Sequence, residues 1–416
     1  MNILYVTQTF PPEPGPTTRP LGQAVQLRRR GHDVTVLTAM PSAPLGEVFP
    51  AYRGAIAMRE VVGGVRVLRV PARPTRNRVY AERVVSWASF ALSAALAGGV
   101  LPRPDAVVAS VPNFGTDLAA LAIARARGAA YVLELRDLPP ENLALVGMDP
   151  GAPLPRSLGA WVDAHSRRAD LVAVTGTGAR CALLDRVPEL GPEQVVVLPH
   201  GIDALGGDVA PVDLGPRWDL EVLYAGSFSA YYAVPTLVAA ARELARRNAR
   251  VRLHLLGTGR EREGLEEELR RDPCGAVVLH PPVPPEDVPA WLAAADVLVS
   301  PYCTSQPVRT LDRYMNTKLV QYLGAGRPVL AVETQDVAGS LLAEIGAGSA
   351  VRPDPGLIAD QLVAWAADEA LRGRMGCAGR RWAEQSGTRE HTVRPFAEAL
   401  EELVGVRRRR ARPRRG

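Results

Sequence analysis

The sequence has four cysteines in 416 residues, Cys181, Cys274, Cys303 and Cys377, and they are scattered. They form no CxxC pair and have no histidine cluster beside them. That argues against a disulfide framework or a zinc site and fits a reducing compartment. The loop after the first predicted strand contains no GxGxxG, and GxxxxGK[ST] occurs nowhere, which disfavours dinucleotide and P-loop chemistry. The N-terminus, MNILYVTQTF, runs into a strand without a basic leader or a small-residue cleavage site, so no secretory signal is read and a cytoplasmic location is expected. No basic patch with interleaved aromatics appears, which leaves nucleic acid without a surface to bind. The net charge of +5 is concentrated in an arginine-rich end, RRRRARPRR, at residues 407–415. Such an end is either a solvated tail or a contact for anionic lipid head groups.

What is present is an ordinary folded composition, 47% hydrophobic and 22% charged. At ~150 residues per domain the length predicts two or three domains. Short apolar runs alternate with helical patterns, which predicts parallel strands joined by crossover helices, a doubly wound α/β class. Strands are expected at 3–7, 33–38, 65–70, 105–110, 131–135 and 171–175. After a Pro/Gly-rich stretch near 199–216 they resume at 221–225, 251–256, 276–279, 297–300 and 329–332. The expected division is residues 1–200, residues 201–385, a C-terminal helix over 386–406 that crosses back, and a basic tail from 407. Helices are expected over 356–374, 376–385 and 391–404. Residues 84–101 carry no charge and reach the lower limit for a membrane span. Pro102, Pro104 and another strand follow at once, so the segment reads as a crossover helix, buried or interfacial.

Two stretches point to a ligand site. The loop QTFPPEPGPTTRP at 8–20 lies beyond the carboxyl end of the first strand, where open α/β sheets bind ligands. The Gly15–Pro16 turn there allows close backbone approach, and Thr17 or Thr18 caps the next helix. The second stretch is YMNTKLVQYLGAGRPV at 314–329. Leu311, Tyr314, Met315, Leu319, Tyr322 and Leu323 recur at helical spacing, which gives the element a buried face. Asn316 or Thr317 is the expected N-cap, and Lys318 stands in the first turn. The unpaired N–H groups of Thr317, Lys318 and Leu319, with the lysine charge, make an anion site. Gln321 lies one turn on, placed to hydrogen-bond ribose hydroxyls.

These residues, with MNILYVTQTFPPEPG, ELRDLPPE (134–141), VLPHGID (197–203), LYAGSF (223–228) and NTKLVQYLGAGRPV (316–329), resemble the GT-B retaining glycosyltransferases of family 4. The likeness is nearest to the branch with amino-sugar transferases of O-antigen and colanic-acid-type polysaccharide assembly. It implies a GT-B fold, two Rossmann-like domains facing across a cleft, with the acceptor on the first and a nucleotide-diphosphate sugar on the second. Three departures stand out. The family's paired acids are replaced by Gln321 and Arg313. The diphosphate-binding Arg and Lys that often follow the LYAG glycine are absent from SFSAYY at 227–232. Where many relatives have a donor-contacting histidine, Arg136 and Asp137 stand instead.

The resemblance implies transfer with retention, the leaving diphosphate taking the acceptor proton. Phosphate charge then falls to Lys318, Arg309 and backbone N–H groups, including those near Ser227 and Gly15. Asp137, with Glu141 second, is the expected carboxylate beside the anomeric carbon. The chain has no Asp-x-Asp triplet, so no metal and no other cofactor is expected. The expected partners are the nucleotide-sugar donor, a glycan, lipid-linked or small-molecule acceptor, and the inner membrane face. A small-molecule transferase of natural-product biosynthesis and an inactive nucleotide-sugar binding protein are the alternatives. A sugar-nucleotide epimerase of the same fold ranks below them, for want of matching acids and histidines.

Overall fold

The computed structural model describes residues 1–13, 18–76, 80–111, 113–203, 209–229, 232–304, 308–310 and 317–411, with backbone only at 146, 317 and 411. The chain forms two compact units. One comprises Met1–Pro140, Pro150–Pro199 and the C-terminal residues from Arg389; the other comprises Glu141–Asp149 and His200–Thr388.

The first unit runs β1 (Asn2–Val6), α1 (Thr18–Arg29), β2 (Asp33–Ala39), β3 (Met58–Val62), β4 (Val65–Val70), α2 (Tyr80–Val100), β5 (Ala106–Val111), α3 (Phe114–Arg127), β6 (Ala130–Leu135), α4 (Pro153–Ser166), β7 (Leu171–Val174), α5 (Thr177–Arg186) and β8 (Val195–Val197). Its sheet has the order β3-β4-β2-β1-β5-β6-β7-β8. All neighbours are parallel except β3 with β4. Strands such as β5, AVVASV, are buried at every position because helices cover both faces. Strand β3 is a hairpin arm that the periodicity reading omitted. Gly63 and Gly64 turn it with φ of 56° and 78°, as a two-residue hairpin requires.

The second unit runs β9 (Leu220–Ala225), α6 (Val234–Arg246), β10 (Val251–Leu256), α7 (Arg262–Arg271), β11 (Val277–His280), α8 (Val288–Ala294), β12 (Val297–Tyr302), α9 (Thr317–Gly324), β13 (Val329–Glu333), α10 (Gly339–Ile345), β14 (Gly348–Val351), α11 (Pro355–Ala366) and α12 (Glu369–Trp382). The parallel order is β11-β10-β9-β12-β13-β14. Helix α6 shows why such segments dock: Val234, Leu237, Val238, Ala241 and Leu244 are buried at 3.6-residue spacing.

One helix was expected over 356–374 and another over 376–385. The break falls instead at Ala367–Asp368, where the Asp368 carboxylate accepts from the Leu371 N–H at 2.7 Å and starts α12. The last helix, α13 (Arg389–Ala411), belongs to the first unit. Val393, Phe396, Ala397, Leu400 and Val404 close the core beside α1, β7 and β8. It runs through residues 407–411, which the sequence assigned to the tail. Arg407 pairs with Asp170 at 2.8 Å and Arg408 with Asp105 at 2.7 Å. Those ion pairs, and helix propensity carried through the arginine run, hold the first part of the basic end in the fold.

Candidate active site

In each unit the strand order reverses once, between β1 and β5 and between β9 and β12. Crevices beyond the carboxyl ends of strands at such switch points are where open α/β sheets take ligands. In the second unit, β9 ends at Ala225, and the buried Tyr322 of α9 fastens that end. Its hydroxyl donates to Ala225 O at 2.9 Å and accepts from Ala225 N at 3.0 Å. Two glycine-bearing loops then continue side by side. Gly226 N donates to Leu256 O at 2.8 Å, and Phe228 N donates to Thr258 O at 2.7 Å. Gly257 has φ of 150°, and a Cβ on it would collide with the Gly226 carbonyl. The loops therefore touch backbone to backbone.

Lys318 stands in the first turn of α9 and folds over this junction. A Cβ at Gly226 would collide with its Cε and Nζ. Its ammonium donates to the Tyr224 hydroxyl at 3.2 Å and lies 3.2 Å from the centroid of the Tyr232 ring. The Tyr224 hydroxyl in turn donates to Ser227 O at 2.5 Å. Among the described residues no carboxylate pairs with Lys318. Burial without a counter-charge lowers its pKa to about 7. Tyr232 and Tyr224 offer the ring faces that favour a cation, and the sequence reading passed over both. One further signal was available. Lys318 is the only lysine of the chain, and every other basic residue among the 49 is arginine. A compact ammonium fits the space over Gly226 between the two rings, where a planar guanidinium is bulkier.

The other expected donor-site residues divide. Leu319 is fully buried, so its side chain is part of the core and not of a ligand surface. Gln321 is exposed on the open side of α9, one turn from Lys318. Ser227 and Arg309 are exposed in the second unit. Gly15 and Pro16, with Leu311, Tyr314, Met315 and Asn316, lie outside the described residues, as does the side chain of Thr317. A cavity of about 250 Å³ near Phe228, Pro235 and Glu261 contains none of the expected residues.

In the first unit Asp137 is exposed just past β6, while Glu141 belongs to the second unit. Beside Asp137, a small cavity reaches buried Asp117 and His165. Trp161 Nε1 donates to Asp117 at 2.7 Å, and His165 Nδ1 is 3.6 Å from the same carboxylate. Burial raises Asp117 to about 7 and lowers His165 to about 4. At the tips of β1, β2 and β5 a polar pocket is lined by Gln8, Thr9, Glu13, Ser42, Arg73 and Asn113, among others. Buried Glu13 shapes it by accepting from Ser42 N and Ala43 N, each at 2.9 Å. Below this pocket Arg19 Nε meets Glu134 at 2.9 Å, and Tyr5 and Gln23 also donate to that carboxylate. Burial alone would raise the Glu134 pKa; Arg19, Tyr5, Arg136 and Gln23 together outweigh it and bring the group to about 2.

Among solved structures, the fold is similar to sucrose-phosphate synthase from Thermosynechococcus elongatus. The TM-score is 0.75 at 17% identity, over 97% of this chain and 99% of that one. HepE of Anabaena in complex with UDP and glucose gives 0.67 at 16%, over 96% and 99%. A UDP-N-acetylglucosamine 2-epimerase from Listeria monocytogenes gives 0.61 at 13%, over 97% of both chains. At such identities these likenesses show the fold alone, which is GT-B, and an epimerase shares it. No curated protein sequence matches the chain. Domain families separate the readings: a glycosyl transferase 4-like domain matches residues 14–201, and a glycosyl transferases group 1 domain matches residues 219–368. Together they span about four-fifths of the sequence, and the chain belongs to the GT4-type glycosyltransferases built from this pair of domains.

Proposed function

We propose that this protein transfers a sugar, with retention, from a nucleotide-diphosphate sugar to a glycan or lipid-linked saccharide in envelope polysaccharide assembly at the cytoplasmic face of the membrane. The observation that carries the reading is the chain's single lysine, held over Gly226 at the β9/β12 switch point in the first turn of α9. Charge that develops on a departing diphosphate is best met by donors already fixed in place. Lys318 supplies the ammonium and the positive end of the α9 dipole adds to its field, with Arg309 and the Ser227 loop as further donors. Gln321 takes the ribose. In this reading Asp137 stabilises the oxocarbenium-like sugar and Glu141 assists, so no essential metal is needed. HepE, crystallised with UDP-glucose, supports uridine nucleotides as the first donors to screen.

Slow hydrolysis of the accepted nucleotide sugar without acceptor reads out this site directly. Lys318→Ala is expected to lower kcat/KM for that hydrolysis by about 10²–10³-fold. Lys318→Arg is expected to fall nearly as far, because the guanidinium does not fit the space between Tyr224 and Tyr232. EDTA is expected to leave the rate unchanged. Wild-type rates in Lys318→Ala would remove the diphosphate site from the proposal.

A further inference from the structure

Helix α2 has one face the fold does not use. Trp87, Phe90, Ala94 and Gly98 are buried against α3 and the sheet. The opposite face carries Val85, Leu92, Leu96 and Val100 at 49%, 66%, 69% and 77% exposure. Their spacing of 7, 4 and 4 residues puts them in one stripe, with Ala88 and Gly99 between. From Val84 to the helix end this face has no charged residue over about four turns. An ordinary solvent-facing helix surface is polar, as α7, REGLEEELRR, is in the same chain.

Cations fringe the stripe at both ends. Arg83 stacks over the Tyr80 and Trp87 rings at 5.9 and 5.2 Å, with Arg73 and Arg76 close in sequence. At the far end Arg127 donates to Leu101 O at 3.0 Å and Arg103 donates to Arg127 O at 2.9 Å. An apolar stripe with aromatic rings at one end and arginines at both matches an anionic bilayer surface: apolar groups enter the acyl boundary while cations meet phosphates.

We propose that α2 docks the first unit flat on an anionic membrane through the Val85–Leu92–Leu96–Val100 stripe. Spanning is ruled out by the other face. A Cβ at Gly115 of α3 would collide with the Trp87 carbonyl, and one at Gly98 with the Ile123 side chain. The two helices are thus locked together, and withdrawing α2 would uncover α3, β2 and β4. A second copy of the chain is a poorer occupant. A stable dimer uses about 20–30 residues a side, and this stripe offers four large side chains flanked by arginines. The inference extends the reading of an envelope acceptor and rests on it for its purpose; its evidence is separate.

The test is co-sedimentation of the full chain with vesicles of phosphatidylglycerol and phosphatidylcholine in equal parts, alongside sedimentation velocity without lipid. Wild type is expected to pellet with these vesicles, less with phosphatidylcholine alone, and to sediment as a monomer. Leu92→Glu/Leu96→Glu is expected to bind at least about a hundredfold more weakly, at about tenfold per leucine. Its nucleotide-sugar hydrolysis should be that of wild type, since neither leucine is among the residues proposed to act on the donor. Failure to pellet, or equal pelleting of the double variant, overturns the docking surface. So does a lipid-free dimer that the double variant dissociates. Loss of the donor reading instead would appear as absent hydrolysis with vesicle binding intact.

Discussion

Arg19→Met should destabilise the protein by about 3–5 kcal/mol at pH 7, because it strands a carboxylate in the core. The Arg19 and Glu134 side chains are 5% and 1% exposed. Tyr5 and Gln23 each donate one hydrogen bond to Glu134 but bring no positive charge, and Arg136 is left as the weaker cation acting on it. Arg19 also ties the chain after β8 by donating to Leu198 O at 2.7 Å and Pro199 O at 3.1 Å, and these bonds go with it. The sign of the pH dependence follows from the depressed folded-state pKa of Glu134, about 2. In the wild type its contribution is present above the unfolded-state value of ~4.3 and is lost as pH falls toward 2. In Arg19→Met burial meets less opposition, so the carboxyl pKa rises from its wild-type value and protonation relieves the buried charge at a higher pH. The gap in Tm between the two proteins should therefore narrow on acidification from pH 7 to 4. Arg19→Met/Glu134→Gln should recover part of the loss at pH 7. A Tm for Arg19→Met equal to wild type would show that the pair is not what secures α1 to β6.

Gly257→Ala should damage the second unit and its site together. Its φ of 150° lies where side-chain-bearing residues rarely go, and its Cβ would strike the Gly226 carbonyl, which has no flexible end to move aside. Strain and overpacking each cost about 1–3 kcal/mol, so a loss of roughly 2–6 kcal/mol is expected. Separating the loops would also move Gly226 from beneath Lys318, and nucleotide binding should fall with stability. Gly264→Ala is the control. It lies in α7 with nothing within 4 Å of a Cβ, so the better helix former should leave Tm level or raise it slightly. Wild-type melting and nucleotide affinity in Gly257→Ala would contradict the packed-loop geometry.

Much of the fold was legible because its buried strands read as short apolar runs between helical patterns. VLYA at 222–225 and VRLHLL at 251–256 both fall on their strands. What escaped were the edges. Strand β3 is exposed or half-buried and lacks an apolar run, though VVGGVRV carries the Gly-Gly hairpin signal. Strand β14 opens with Gly348, whose Cβ would strike the Val329 carbonyl, and a four-residue GSAV has no period to find. The site was legible where it rests on local rules. The position of Lys318 in the first turn of α9 was readable from helix patterning alone. The tyrosines were not, because Tyr224 lies near the end of a strand and Tyr232 precedes a helix, and only folding brings their rings to Lys318. Both ring faces meet the ammonium of the one lysine, which α9 supplies. The polar nets of Glu134 and Asp117 were equally hidden, since each joins residues from separate elements.

The central claim is that the Lys318 ammonium grips the diphosphate of the donor, and the chain's composition offers a direct measurement. Lys318 and the N-terminus carry the only amines, and burial brings the Lys318 pKa down to about 7, which leaves it reactive near neutrality. Reductive labelling with pyridoxal 5′-phosphate, read by peptide mass spectrometry, should modify Lys318. Saturating UDP, GDP, ADP or TDP, whichever raises the Tm, should protect it while N-terminal labelling continues. Labelling of Lys318 at the same rate with and without a bound nucleotide diphosphate would contradict the account.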